Sequence, residues 1–155
     1  MVYTYDELQV GDSHFYEKTF TDADVLLFSA ISGDGNPMHT NEEFAKKTKF
    51  GRRICHGAMT SSLISNALTR MFPTSIYISQ YVEFLAPVFI GDTITANLKV
   101  TKLDGGKNRV WLRTWCTNQK GDLVIEGEAK MMPVTREMKE AALQQQEKLN
   151  NSLGV

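Results

Sequence analysis

The sequence is poor in the features that mark secreted, membrane-spanning and nucleic-acid-binding proteins. Its 155 residues include two cysteines, Cys55 and Cys116, and these show no metal-site spacing. No apolar run approaches the roughly 18 residues that a transmembrane helix needs. Lys and Arg number 17 against 18 Asp and Glu, and no basic stripe is present. These absences predict reduced thiols, and partners that include neither nucleic acid nor a membrane.

The first residues of the chain lack the pattern of a secretion signal. Residues 1–7 are polar and acidic, whereas a signal peptide begins with basic residues and continues with an apolar stretch. Together with the small number of cysteines, this predicts a cytoplasmic location.

The length and composition suit one folded domain. A chain of this size buries about 68–70% of the surface that its unfolded form exposes, so its core needs no disulfide or metal. Hydrophobic residues make up 42% of the sequence and charged residues 23%, which is ordinary for a globular protein.

The order of helical and strand patterns predicts an α+β domain with a mainly antiparallel sheet. Shorter helices are expected from Thr21 to Gly33 and, behind Asn41, over 42–47. Residues 135–150 predict a peripheral helix that leads into a polar tail. One strand is predicted before the longest helix and four after it, at 15–20, then 76–85, 93–103, 109–117 and 123–132.

The longest helical pattern runs from Gly57 to Phe72 and ends before Pro73. Apolar residues cover more than one of its faces, which is typical of a buried helix. We therefore expect this helix to lie at the centre of the domain.

The most distinctive stretch precedes that helix and reads Ser-Gly-Asp-Gly-Asn-Pro-Met-His over residues 32–39. The two glycines and Pro37 disfavour a helix and favour a tight loop. Such a loop can direct Asp34 and His39 into one pocket. A histidine that titrates near neutrality beside a carboxylate is suited to general acid–base catalysis. Either residue alone would more often be a turn former or a packed side chain.

This motif, followed by His56-Gly57 and an apolar helix, resembles the MaoC-like family of (R)-specific enoyl-CoA hydratases. The resemblance covers roughly residues 6–133. It implies a hot-dog fold for residues 1–134, in which an antiparallel sheet wraps around one long helix, with residues 135–155 as a peripheral helix and tail. It also implies a homodimer that hydrates trans-2-enoyl-CoA to (R)-3-hydroxyacyl-CoA reversibly. Coenzyme A is part of this substrate, and no metal or redox cofactor is implied.

The resemblance assigns the catalytic roles to Asp34 and His39, without deciding which of them protonates the α carbon. It assigns to the Gly57 N–H the binding of the thioester oxygen at the positive end of a helix. The alternative for Gly57 is tight packing at the helix start. Ser65 aligns with a serine that lines the active site in the family, although serines within helices often bond only to the preceding turn.

Several neighbouring residues have both a functional and a structural interpretation. Asn36 either orients the catalytic pair or, as we favour, bonds within its own loop. His56 caps the central helix or lines the pocket, and we assign it no proton transfer. Arg52 and Arg53 either bind the coenzyme A phosphates or belong to a solvated loop. Cys55 is interpreted as a buried thiol rather than a nucleophile.

Three other functions compete with hydration of acyl-CoA. A dehydratase acting on acyl carrier protein thioesters would share the pair and differ at the pocket mouth. A non-catalytic acyl-CoA-binding protein would not need to keep both residues. A thioesterase is disfavoured, because hot-dog thioesterases usually carry their acid on the central helix and residues 57–72 contain no Asp or Glu. The acyl chain length stays open.

Overall fold

The computed structural model describes residues 3–153, with side chains described for residues 3–147. The first two and last two residues, at the ends of the predicted entry segment and tail, lie outside this range. A short 3-10 turn, Tyr5–Glu7, precedes the first strand. The helices and strands that follow are β1 (Ser13–Thr19), α1 (Asp22–Ser32), α2 (Pro37–Thr40), α3 (Glu42–Ala45), α4 (Gly57–Met71), β2 (Ile76–Phe84), β3 (Thr93–Asp104), β4 (Arg109–Thr117), β5 (Leu123–Met132) and α5 (Arg136–Leu153).

The strands form one sheet in the order β1-β3-β4-β5-β2, and all its pairs are antiparallel. This is the predicted arrangement of one strand before the central helix and four after it. The two edges of the sheet are β1 and β2, which flank α4 in the sequence.

The central helix α4 packs across β1, β3 and β4. Its inward face is buried together with inward residues of the strands, and both belong to one hydrophobic core. Burial of this apolar face supplies the main force that holds the helix against the sheet. The predicted hot-dog domain is therefore confirmed. The buried residues of α4 are Met59, Thr60, Leu63, Ile64, Ala67, Leu68 and Met71.

Helix α1 begins and ends as its sequence predicts. The Thr21 hydroxyl accepts a hydrogen bond from the Asp24 N–H at 3.2 Å, and the Asp24 carboxylate accepts one from the Thr21 N–H at 2.8 Å. This reciprocal capping box satisfies N–H groups that have no partner within the helix. At the other end Gly33 adopts a left-handed conformation with φ 76°, which suits glycine and turns the chain toward Asp34.

The prediction that residues 33–39 form a loop without helix is wrong for its second half. Residues Pro37–Thr40 form one helical turn, with Asn36 as its N-cap and Pro37 in the first position. Proline is favoured there because its missing N–H would lack a helical partner in any case. His39 is consequently held on a helical turn, while Asp34 lies on the loop before it. The next helix ends at Ala45 rather than Lys47.

The terminal helix α5 is attached through its first turn. The Arg136 N–H donates to an Asp6 carboxylate oxygen at 2.6 Å, and the Arg136 guanidinium lies 3.8 Å from Glu7. Over the residues whose side chains are described, α5 is exposed on nearly all positions. No helix within residues 3–153 is both long and apolar enough to cross a membrane.

We predict that a truncation removing Glu137 and all following residues retains turnover close to that of the full chain. The helix lies outside the core of α4 and the sheet, and its sequence is mostly polar. Steady-state kinetics on the truncated and full-length proteins would test this, with circular dichroism to show that both are folded. A large loss of turnover in a folded truncation would show that α5 reaches the active site or a required partner.

Candidate active site

The loop between α1 and α2 is shaped by hydrogen bonds between residues that are close in sequence. The Asp34 N–H donates to the Ser32 hydroxyl at 3.1 Å, and an Asp34 carboxylate oxygen accepts from the Asn36 N–H at 3.2 Å. The Asn36 side-chain oxygen accepts from the Met38 N–H at 3.0 Å. Asn36 thus has the loop-forming contact that we favoured. The Asp34 side chain remains exposed.

The imidazole of His39 is buried, and its orientation is fixed by one hydrogen bond. The Nδ1–H donates to the Ile54 carbonyl oxygen at 2.8 Å. A carbonyl oxygen only accepts, so the proton is on Nδ1. In the neutral ring the lone pair is then on Nε2, which can accept a proton from a water molecule. His39 also lines a cavity next to the motif.

His56 lies between the two predicted catalytic residues, although 22 residues separate it from Asp34. Its Nε2 is 3.1 Å from the Asp34 main-chain oxygen and 3.2 Å from the Ser29 hydroxyl. Its ring stacks on that of His39, with centroids 3.9 Å apart and 32° between the planes. His56 is the N-cap residue of α4 but makes no side-chain capping bond, and it does not line the cavity. Nothing in the sequence indicated this bridging contact.

The donor atoms of Asp34, His39 and His56 lie within 4.8 Å of one another, close enough to consider a metal ion. The ring geometry does not favour one. Ligand lone pairs lie in the imidazole plane, and two rings stacked 3.9 Å apart with 32° between planes do not direct them to one nearby point. The His56 Nε2 also has the Asp34 carbonyl as its partner. The cluster is better suited to proton chemistry than to metal binding.

A cavity of about 490 Å³ opens beside His39. Gly57, the first residue of α4, lies in its wall, so the first N–H groups of the helix are close to any molecule bound there. A Cβ atom on Gly57 would come within 2.8 Å of the Phe84 ring, which explains the need for glycine by packing. The remaining lining residues are mainly apolar: Lys49, Phe50, Ile54, Cys55, Ala58, Thr60, Phe84, Leu85, Ala86, Pro87, Val88, Val124 and Ile125.

The two arginines before the central helix have different surroundings. Arg53 forms ion pairs with Asp22 at 2.6 Å and Glu42 at 3.3 Å, which ties α1 to α3. Its guanidinium is thereby occupied within the fold. The Arg52 guanidinium lies 3.9 Å from the centre of the Phe89 ring. Lys49, which the sequence reasoning missed, lines the cavity itself and offers a cation at its wall.

The structure does not bring Ser65 to the catalytic pair. Ser65 is exposed on α4 and lines a separate cavity of about 350 Å³ with Ser61, Ser62 and residues 77–80 of β2. The role of Ser65 in the active site stays a prediction.

Cys55 also lies in the wall of the first cavity but is only 4% exposed. Burial, reinforced by the carboxylates of Asp92 and Asp24, raises the pKa of its thiol to about 12. About one thiol in 10⁴ is then ionised at pH 8, and the thiolate is the nucleophilic form. This supports the interpretation of Cys55 as a packed thiol.

We predict that Cys55 and Cys116 of the native protein react very slowly with a thiol reagent such as dithionitrobenzoate at pH 8. Burial raises the pKa of both thiols from 9.0 to about 12, so the unfolded chain loses these protons first. Their ionisation therefore lowers the free energy of unfolding as the pH rises from about 9 toward 12. Labelling rates with and without denaturant would test the slow reaction of the native thiols. Fast labelling of the native protein would contradict the prediction.

Comparison with known proteins agrees with this geometry. The family model described as MaoC like domain matches residues 10–119. An (R)-specific enoyl-CoA hydratase of Rhodospirillum rubrum is 42% identical over 138 residues, which are 88% of this chain and 95% of that protein. A 3-hydroxybutyryl-CoA dehydratase of Methylorubrum extorquens is 42% identical over 128 residues, 81% of this chain and 80% of that protein.

Solved structures agree as well. The unliganded R-hydratase PhaJ1 of Pseudomonas aeruginosa superimposes with a TM-score of 0.81 at 38% identity, over 86% of each chain. Since the family model spans more than half of the sequence and these relatives align over most of it, this chain belongs to the MaoC-like domain family.

Proposed function

We propose that this protein is an (R)-specific enoyl-CoA hydratase that adds water to trans-2-enoyl-CoA and also catalyses the reverse dehydration. The observation that carries the proposal is the position of Asp34 and His39. Side-chain atoms of the two residues lie within 4.8 Å of each other, and His39, although not Asp34, lines an apolar cavity that begins at the N-terminus of α4. The names of the similar hydratase and dehydratase agree with it.

In the hydration direction, His39 and Asp34 would hold and activate the water. With Nδ1–H bound to the Ile54 carbonyl, His39 presents its Nε2 lone pair as an acceptor. The exposed Asp34 carboxylate offers a second acceptor for the other water hydrogen. As the water oxygen bonds to the β carbon, one O–H bond breaks and its proton passes to the Asp34/His39 pair, and the pair delivers a proton to the α carbon. Which of the two residues delivers it stays open.

The electron pair of the C=C bond moves toward the thioester carbonyl as the water adds. Negative charge then develops on the thioester oxygen, where hydrogen-bond donors stabilise it most effectively. The N–H of Gly57, in the cavity wall at the positive end of a 15-residue helix, is our candidate donor. The apolar lining beyond it suits an acyl chain.

The reaction as proposed needs no metal or redox cofactor, because proton transfer and charge stabilisation account for every bond change. We propose a cytoplasmic location, in keeping with the two reduced thiols. Crotonyl-CoA hydration, followed by the loss of enoyl thioester absorbance, is the direct test, and it should proceed in the presence of EDTA. Turnover of the carrier-protein thioester alone would indicate the acyl carrier protein dehydratase, and binding without turnover a non-catalytic protein.

We predict that Asp34→Asn and His39→Ala each lower kcat for crotonyl-CoA by at least about 10²-fold, the usual contribution of a positioned acid–base group. Asn can still accept the hydrogen bond from the Asn36 N–H, so the first change removes charge while retaining the loop contact. The double variant should lose much less than the product of the single losses, because the residues act as a unit.

The matched control is Glu43→Gln, which removes a carboxylate on α3 whose ion pair is with Lys46. It should leave kcat within about twofold of wild type, as exposed pairs contribute little. Melting temperatures should accompany the kinetics, because Asp34 also shapes its loop. A folded Asp34→Asn protein with near wild-type turnover would refute the catalytic assignment of this loop.

We further propose that the protein is a homodimer formed through β2. All residues of this edge strand are exposed except Gln80 and Val82, which are half-buried. Tyr81 is 64% exposed and Phe84 57%. Exposed edges of this apolar character are usually paired or covered. The same exposed surface continues into Leu85 and borders Ser61, Ser62 and Ser65 of α4.

Light scattering at micromolar concentration should accordingly give twice the 17.5 kDa chain mass. Ile78→Asp, on the exposed part of β2, should shift the protein toward monomer, since a charge would be buried without a partner. The control is Phe15→Asp on the opposite edge strand, where another exposed apolar side chain is replaced by a charge; Phe15 is 63% exposed and Ile78 41%. A wild-type monomer, or equal effects of the two changes, would contradict this interface.

A further inference from the structure

The side chain of His56 has no role in the mechanism above, yet it is more deeply buried than either catalytic residue. It is 1% exposed, compared with 8% for His39, and Asp34 is exposed. A polar side chain is buried at a cost unless its hydrogen bonds are made, so the partners of this ring require an explanation.

The contacts of Nε2 determine which ring nitrogen carries the proton. The Asp34 main-chain oxygen, 3.1 Å away, can only accept a hydrogen bond. A lone pair on Nε2 would face that oxygen and repel it, so Nε2 must carry the hydrogen. The Ser29 hydroxyl at 3.2 Å is a second neighbour of the same nitrogen. Nδ1 is buried and has no hydrogen-bond partner among residues 3–147, which agrees with a lone pair there in the neutral ring.

The His56 ring also contacts His39. His56 packs between Phe28, at a centroid distance of 5.0 Å, and His39, at 3.9 Å. The Asp34 loop is otherwise held by bonds to residues close in sequence. His56 gives this loop a contact with the segment that starts the central helix. One imidazole therefore contacts the backbone of Asp34 and the face of His39.

We propose that His56 is a positioning residue, which holds Asp34 through its main-chain oxygen and His39 through ring stacking. It transfers no proton to the substrate. The proposal rests on the proposed hydratase function, since the positions that it fixes are those of the acid–base pair. Displacing such a group by about 1 Å can cost up to about 10²-fold in rate.

Two substitutions separate the hydrogen bond from the burial of the ring. His56→Phe keeps an aromatic ring for stacking and removes the donor, whereas His56→Gln keeps an amide N–H near the position of Nε2. With crotonyl-CoA, His56→Phe should lower kcat by about 10-fold or more and leave KM within about threefold. His56→Gln should exceed His56→Phe in kcat by at least about threefold. Neither change should remove a limb of the kcat/KM pH profile, because the acid–base groups remain.

Ser29→Ala is the matched control, because it removes the other neighbour of Nε2 and leaves the Asp34 oxygen in place. Its kcat should stay within about threefold of wild type. A loss as large as that of His56→Phe would identify Ser29 as the anchor and overturn the proposal. Near wild-type kcat in a folded His56→Phe protein would overturn it, as would equal losses in the two His56 variants. Loss of a pH-profile limb would show instead that His56 exchanges protons with the substrate.

A measurement on the wild-type protein keeps the test valid if His56→Phe does not fold. Long-range ¹H–¹⁵N correlation spectra distinguish the two neutral tautomers of each histidine. We expect His56 as the Nε2–H form and His39 as the Nδ1–H form, and an Nδ1–H tautomer of His56 would overturn the proposal. Failure of the wild type to hydrate crotonyl-CoA would reject the proposed function, while the tautomer would still test the hydrogen bond.

Discussion

The burial of α4 against the sheet is the constraint on which the candidate site depends. Its apolar face fills the space over β1, β3 and β4, and this fixes the position of its first residue, Gly57. The residues just before Gly57 are consequently held as well. The Ile54 carbonyl oxygen and the His56 ring, which contact the two proposed catalytic residues, both belong to this short segment. Packing of the core therefore fixes the positions of the polar groups at its edge.

Of the two proposed catalytic residues, His39 is attached to this segment by a group that cannot move independently of the backbone. The Ile54 oxygen is a main-chain acceptor, and it sets the tautomer of His39. The N–H groups at the start of α4 are main-chain donors. Main-chain groups are positioned by the fold and pay little additional entropy for ordering, which suits a site that must be organised before substrate binds. The side chain of His56 extends the same support to the Asp34 loop.

Much of this arrangement could be predicted from local sequence, because it depends on local physics. The Thr21 capping box, the left-handed Gly33 and the apolar pattern of α4 are set by neighbouring residues. The confirmed hot-dog fold followed from the eight-residue motif, together with the number and order of strands. The helical turn at Pro37–Thr40 differs from the predicted loop, because proline interrupts a helix in its interior but is favoured at its first position, where Pro37 lies.

Contacts between distant segments could not be predicted in the same way. The bond between His56 and the Asp34 backbone joins residues 22 positions apart, and no periodicity records it. The sequence gives Arg52 and Arg53 the same expected role in binding phosphate. The structure shows that the Arg53 guanidinium is instead paired with Asp22 and Glu42. Ser65 lies on the helix as expected, but the direction of its helical face places it in another cavity.

The unequal burial of Asp34 and His39, the proposed catalytic pair, has its own physical reason. Burying a carboxylate costs much more free energy than burying a neutral imidazole, because the carboxylate loses a stronger interaction with water. An exposed Asp34 and a buried His39 are therefore a stable arrangement in the absence of substrate. The exposed carboxylate stays in contact with water until a substrate binds beside it. A thioester bound in the cavity would displace water around it and strengthen its interactions at the moment they are needed. Exposure of Asp34 in the absence of substrate is therefore compatible with catalysis. The free energy needed to desolvate Asp34 is therefore required when substrate binds and not when the protein folds.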